Sequence, residues 1–241
     1  MSLVACQVSE PETRESAPEP EPEKVEMAAP LEPISPEDQK QAAELRVAGL
    51  QIRGQGDLST AITTFQESVE LDPDNLSGQR LLGWTLHLAG QEAEAEKVLS
   101  EASLANPEDV ETLNALGIVY LFQGELDAAI AELKAAIEVD PENEIGHYNL
   151  SLAYQRIGDL ENAIAHGETA TILEPDNPHP WVALGLAHWS RGDTEQAQII
   201  YLNAVQLDAR YGQISYLPNL KVAGFSDSQI AEIDALLRTL F

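Results

Sequence analysis

The residues able to do chemistry are few, and their spacing suits none of the common reactions. The five histidines, His87, His147, His166, His179 and His188, are scattered, and no two stand at metal-ligand spacing with a carboxylate. No HExxH pair, G-x-S-x-G elbow, P-loop or paired CxxC occurs. The acidic turns Asp72-Pro73-Asp74-Asn75 and Asp140-Pro141-Glu142-Asn143 resemble calcium loops only in charge. They lack the central glycine and the closing bidentate glutamate, and they read as the stop of one helix and the start of the next. With Cys6 as the single cysteine, an intrachain disulfide is excluded. The expectation is a chain that is not an enzyme and needs neither metal nor cofactor. What remains for function is recognition, and its natural carriers are arginine and aromatic side chains, which dominate interface energetics.

The elements that would position those side chains are set by a period. Gly56, Gly90, Gly124, Gly158 and Gly192 are each 34 residues apart, with no insertion or deletion. A fixed interval of that length marks a stack of repeated units. Counted back from Pro73, Pro107, Pro141 and Pro175, the units begin at Ala42, Leu76, Val110, Glu144 and Pro178. The eighth place is small throughout (Gly49, Gly83, Gly117, Ser151, Gly185), as is the twentieth (Ala61, Ala95, Ala129, Ala163, Ala197). Pairs such as Leu116 with Tyr120 and Leu150 with Tyr154 share one helical face. The recurring glycine separates two apolar-periodic stretches, and an acidic or amide residue after it suits the positive start of a second helix. The proline then ends that helix. Each unit reads as helix, turn, helix, stop.

On these residues the chain resembles the tetratricopeptide repeat family: the small eighth place, the alanine at twenty, the large residue at twenty-four (Phe65, Leu99, Leu133, Tyr201), the small twenty-seventh and the proline at thirty-two. The resemblance implies an all-α fold, a right-handed superhelical solenoid of antiparallel helix pairs. It assigns residues 42–75, 76–109, 110–143, 144–177 and 178–211 to five repeats. Gly167 departs from the pattern at place twenty-four, which predicts loose packing in the fourth repeat. Ala209 replaces the last proline, so the solenoid should change character after Leu207. Family grooves are lined by places two, five, six, nine, twelve and thirteen of the first helix. Carried over, these places give Arg46, Arg53, Arg80, Trp84, His87, Asn114, Phe122, Tyr148, Asn149, Leu152, Gln155, Arg156, His179 and Trp189 as candidate groove residues. The lysine, asparagine and arginine clamp with which the family grips chaperone C-termini is not reproduced: the ninth places are Leu50, Trp84, Ile118, Leu152 and Leu186, and no lysine lies in a first helix.

Charge sorts by helix. First-helix segments carry Glu44, Glu111 and Glu144 against Arg46, Arg53, Arg80, Arg156 and Arg191, a net +2. Second-helix segments carry 20 acidic residues against Lys97 and Lys134, a net −18. The expected partner is therefore a protein or peptide segment of acidic or mixed aromatic and acidic character, held in the concave groove by an adaptor, scaffold or assembly factor. A formal charge of −28 argues against nucleic acid and anionic membrane surfaces.

The ends are not repeats. Residues 1–41 read as a disordered acidic tail, rich in alternating proline and glutamate (Pro18-Glu19-Pro20-Glu21-Pro22-Glu23). Leu3-Val4-Ala5-Cys6 resembles the lipobox of bacterial lipoproteins. It opens an alternative in which Cys6 is lipidated and the chain is a membrane-tethered scaffold of an envelope or photosynthetic-membrane complex. The residues before Cys6 lack a signal peptide's charged and apolar regions, so the location is cytoplasmic on one reading and membrane-anchored or exported on the other. No direct membrane insertion is expected. Residues 212–241 read as a C-terminal cap: Ser226-Asp227-Ser228-Gln229 has capping-box spacing ahead of the apolar stripe Ile230, Ile233, Leu236, Leu237 and Leu240.

Overall fold

The computed structural model describes residues 34–240. Cys6, the lipobox and most of the Pro/Glu tail lie outside the described residues. Among the described residues there is no strand, and the helices run in pairs. The pairs are α1 (Pro36–Gly54) with α2 (Leu58–Leu71), α3 (Leu76–Leu88) with α4 (Glu92–Ala105), and α5 (Val110–Gln123) with α6 (Leu126–Val139). They continue with α7 (Glu144–Ile157) and α8 (Leu160–Leu173), then α9 (Pro178–Arg191) and α10 (Thr194–Leu207). Two 3-10 segments, Ala209–Gly212 and Ile214–Ala223, lead into α11 (Asp227–Leu237). No described helix is long and apolar enough to cross a membrane.

Local chemistry explains the boundaries. Asn75, Asp109 and Asn143 each accept a hydrogen bond from a backbone N–H in the first turn of α3, α5 and α7, at 3.1, 3.1 and 3.2 Å. The acidic turns are thus N-caps. Gly124, Gly158 and Gly192 close α5, α7 and α9 at φ of 85°, 81° and 93°, the left-handed conformation that glycine takes without penalty. One boundary differs from the sequence reading, which ends the tail at residue 41. Ser35 caps α1, its hydroxyl accepting from the Asp38 N–H at 3.0 Å, with proline at the first helical position and acidic residues in the first turn. These local signals start the helix well before the repeat register does.

Packing follows the small places. A methyl group built on Gly49 would lie 2.6 Å from the Phe65 ring, and on Gly83 or Gly117 it would lie 2.5 or 2.6 Å from Leu99 or Leu133. The glycine at place eight is therefore the socket for the large residue at place twenty-four. In the fourth repeat the pair is exchanged, with Ser151 at eight and Gly167 at twenty-four. The expected looseness is absent. The space over Gly167 is taken by Leu184 of α9, whose Cα would stand 3.3 Å from an added methyl, while Ser151 donates to the Ala163 carbonyl at 2.8 Å. Successive first helices α1, α3, α5, α7 and α9 touch one another, whereas α2, α4, α6 and α8 pack mainly on the first helices beside them. That inequality turns the first helices to the inner side of the stack.

Candidate functional site

The inner face divides into two stretches, and the C-terminal one is covered by the chain itself. After α10 the backbone turns back across the first helices. Tyr211, Leu217, Leu220 and Phe225 are buried, and Phe225 lies edge-on to Tyr148 at 6.3 Å. The Tyr148 hydroxyl donates to the Ala223 carbonyl, and burial pushes its pKa well above the ordinary tyrosine value. Gly224, at φ 88°, brings backbone so close that an added methyl would touch Leu121 and Leu152 at 3.4 Å. Gln229, buried at the start of α11, donates to the Leu152 carbonyl at 3.2 Å and to the Gln155 amide oxygen at 2.8 Å. Gln155 reaches Ser190 at 2.9 Å, and Ser190 donates to Glu232 at 2.6 Å. Ile233, Leu236 and Leu237 are buried further along α11. The segment does more than cover the last repeat, as the sequence reading has it, because it also occupies the inner face of α7 and α9.

This covering accounts for six of the fourteen candidate groove residues. Tyr148, Asn149, Leu152, Gln155 and His179 lie beneath or beside the fold-back, and Trp189 packs in the same apolar core. Burial lowers the His179 pKa. Arg156 donates to the Leu121 carbonyl at 2.6 Å and serves as a cap for α5. None of these polar groups is held out for a ligand. Their places in the repeat predicted an inner-face position, and nothing in the repeat period could announce that a non-repeating segment returns there.

The open stretch lies between α1, α3 and α5. A cavity of about 230 Å³ is lined by Arg53, Arg80, Leu81, Trp84, Glu111, Asn114, Ala115, Ile118 and Ile145. All of them stand at places two, five, six, nine or twelve. Five of these lining residues, Leu81, Glu111, Ala115, Ile118 and Ile145, were not among the candidates. Their register places face the groove, but as mostly small or aliphatic side chains they look in the sequence like ordinary packing residues. His87 and Phe122 lie next to the cavity rather than in it. His87 is buried, with its Nδ1 2.8 Å from Glu92 and its ring between Trp84 at 4.9 Å and Phe122 at 4.7 Å. Asn114 is buried in a reciprocal amide pair with Asn143, at 3.0 and 2.9 Å.

The arginines do not form the basic face that their count suggests. Arg46 donates to Asp72 and to Ser68, both at 3.4 Å, in a largely buried setting. Arg80 pairs with Asp109 at 3.3 Å and with Glu111. Arg191 pairs with Asp193. Carboxylates at the helix boundaries and on α5 thus reach three of the five first-helix arginines, so the +2 is mostly compensated within the fold. Two arginines have no carboxylate partner among the described residues: Arg156, held by the Leu121 carbonyl, and Arg53 at the cavity. Arg53 donates to the Thr85 hydroxyl at 3.3 Å and lies 6.0 Å over the Phe65 ring. Partial burial pulls its pKa down.

No cluster of three or more potential metal ligands occurs among the described residues. Comparison with known proteins agrees with the geometry of the stack. Tetratricopeptide repeat models match residues 53–117, 146–177 and 178–211, and a further TPR repeat model matches residues 119–158. No curated protein matches the chain in sequence. Among solved structures, the MamA protein is similar at 23% identity and a TM-score of 0.61, covering 72% of this chain and 95% of its own. MamA from residue 41 to its end, from Desulfovibrio magneticus RS-1, is similar at 20% identity and a TM-score of 0.63, covering 70% of this chain and 96% of its own. TTC0263, a thermophilic TPR protein in Thermus thermophilus, gives 22% and 0.60, covering 76% of this chain and 98% of its own. At these identities the likeness is one of fold.

Proposed function

Because the chain belongs to the tetratricopeptide repeat family, which serves protein–protein interaction, we propose that it is a non-enzymatic adaptor or scaffold holding a partner segment against α1, α3 and α5. The observation that carries this reading is the contrast between the two stretches of inner face. One is sealed by the chain's own C-terminal segment, with Gln229 bonded to the Leu152 carbonyl, and the other keeps an open, mainly apolar cavity beside an uncompensated arginine. Apolar concavities with a few fixed polar groups are where ligands gain most on leaving water. The overall charge of −28 adds selection, since a partner must tolerate an acidic exterior to reach a cavity whose rim carries Arg53.

The test is a substitution that fills the cavity without touching the core. Ile118→Arg places a charge among Leu81, Trp84 and Ala115, and circular dichroism should remain that of the native chain. Proteins retained by the native chain on a column should be lost with Ile118→Arg and kept with Arg191→Ala, at the far end of the stack. Equal retention by both variants overturns the assignment.

A further inference from the structure

If the open stretch receives a partner segment, the cavity also specifies what that segment looks like. Its lining from Leu81, Trp84, Ala115, Ile118 and Ile145 is apolar, and about 230 Å³ is room for one large side chain. The polar groups around it already have partners: Asn114 has Asn143, and Arg80 has Asp109 and Glu111. An apolar guest therefore orphans no hydrogen bond, whereas a polar guest would lose water and find no free partner. Charge is unbalanced at both ends, with opposite sign. Arg53 on α1 lacks a carboxylate among the described residues, while at the α5 side Asp109 and Glu111 share the one cation of Arg80 and leave a negative charge over. A carboxylate is attracted to the first and repelled by the second. Length is bounded too. The fold-back seals the face at Tyr148 and Leu121, so the free track runs from α1 to the edge of α7. Neighbouring helices lie roughly 8–10 Å apart, so three such steps make a track of about 24–30 Å. At about 3.3 Å per extended residue, that is about eight residues.

We propose that the partner is a short extended peptide, anchored by one aromatic or large aliphatic side chain in the cavity and by one Asp, Glu or terminal carboxylate on Arg53. The anchor supplies affinity and the carboxylate supplies selection. A basic residue at the Arg53 end is excluded by like charge.

A library of random decapeptides displayed on phage, panned on the full chain at low ionic strength, tests this without knowledge of the natural partner. The enriched sequences should pair Trp, Phe, Tyr or Leu with Asp or Glu within a few residues. A synthetic peptide of that consensus should lose affinity at least tenfold with Arg53→Glu and with Ile118→Arg, and both variants should melt at the native temperature. Replacing the peptide's acid by lysine should have the same effect on the native chain. Enriched peptides that respond to Ile118→Arg but carry no acid, or ignore Arg53→Glu, overturn this inference and leave the groove assignment standing. Peptides indifferent to Ile118→Arg, or a library from which nothing is enriched, overturn both.

Discussion

At the scale of single residues, position in the register decides the face, and the neighbour decides the role. Arg46 and Arg53 illustrate this: both lie on the inner helix of the first repeat, yet one is bound to Asp72 and the other is not. Arg46→Ala should lower stability by about 1–3 kcal/mol, because it strands a largely buried Asp72. Arg53→Ala should leave stability nearly unchanged and act on binding. Urea denaturation separates the two, and equal destabilisation would contradict the pairing. The exchange of Ser151 and Gly167 makes a second case. Gly167→Leu should cost about 1–3 kcal/mol by overpacking against Ser151 and Leu184. Adding Ser151→Gly should return part of the loss, with a coupling of at least about 0.5 kcal/mol. Additive losses would mean that Leu184 alone sets the fit.

At the scale of elements, helix pairing was legible because period, proline stops and turn glycines all act locally. Where a helix meets something outside the period, sequence reasoning had no handle. The fold-back over α7 and α9 is one instance, and the contact of α7 with α8 through His147 and His166 is another. Their Nδ1 atoms lie 3.0 Å apart, His166 stacks on Tyr154 at 5.5 Å, and the other nitrogen of His147 is 3.2 Å from the Pro141 carbonyl. Burial first, then His147 and Lys134, lower the His166 pKa to about 4. The unfolded histidine takes up its proton near 6.5, so stability is fully present above that pH and is lost as pH falls from about 6.5 toward 4. Allowing for the partial exposure of His166, the loss should be about 1–2 kcal/mol. The stability difference between the native chain and His166→Phe isolates this effect from the general titration of carboxylates. A difference that is flat between about pH 7 and pH 4.5 would show that His166 keeps its ordinary pKa.

At the scale of the whole molecule, a stack of repeats is held by nearest-neighbour interfaces, so its ends control where it opens. The two ends of the described stack are unequal. α11 closes the C-terminal end with Ile233, Leu236 and Leu237 buried, and it and the segment before it reach back to α7 through contacts more than seventy residues apart in sequence. On α1, by contrast, Val47 and Leu50 are 57% and 41% exposed. The sequence points to the fourth repeat as the loose one, because a glycine without a visible filler reads as a hole. The filler is Leu184, from the next repeat, and the exposed Val47 and Leu50 make the first repeat the expected weak end. Amide exchange should therefore be faster in α1 and α2 than in α7 to α10. Phe225→Ala should remove part of the difference, costing about 3–5 kcal/mol as a large buried aromatic is lost. Because the open cavity lies at the weaker end, a bound peptide should slow exchange in α1, α3 and α5 by an amount set by its concentration over its Kd, and leave α9 unchanged. Uniform slowing along the stack would mean that the repeats open as one unit, and slowing confined to α9 would place the ligand on the sealed stretch.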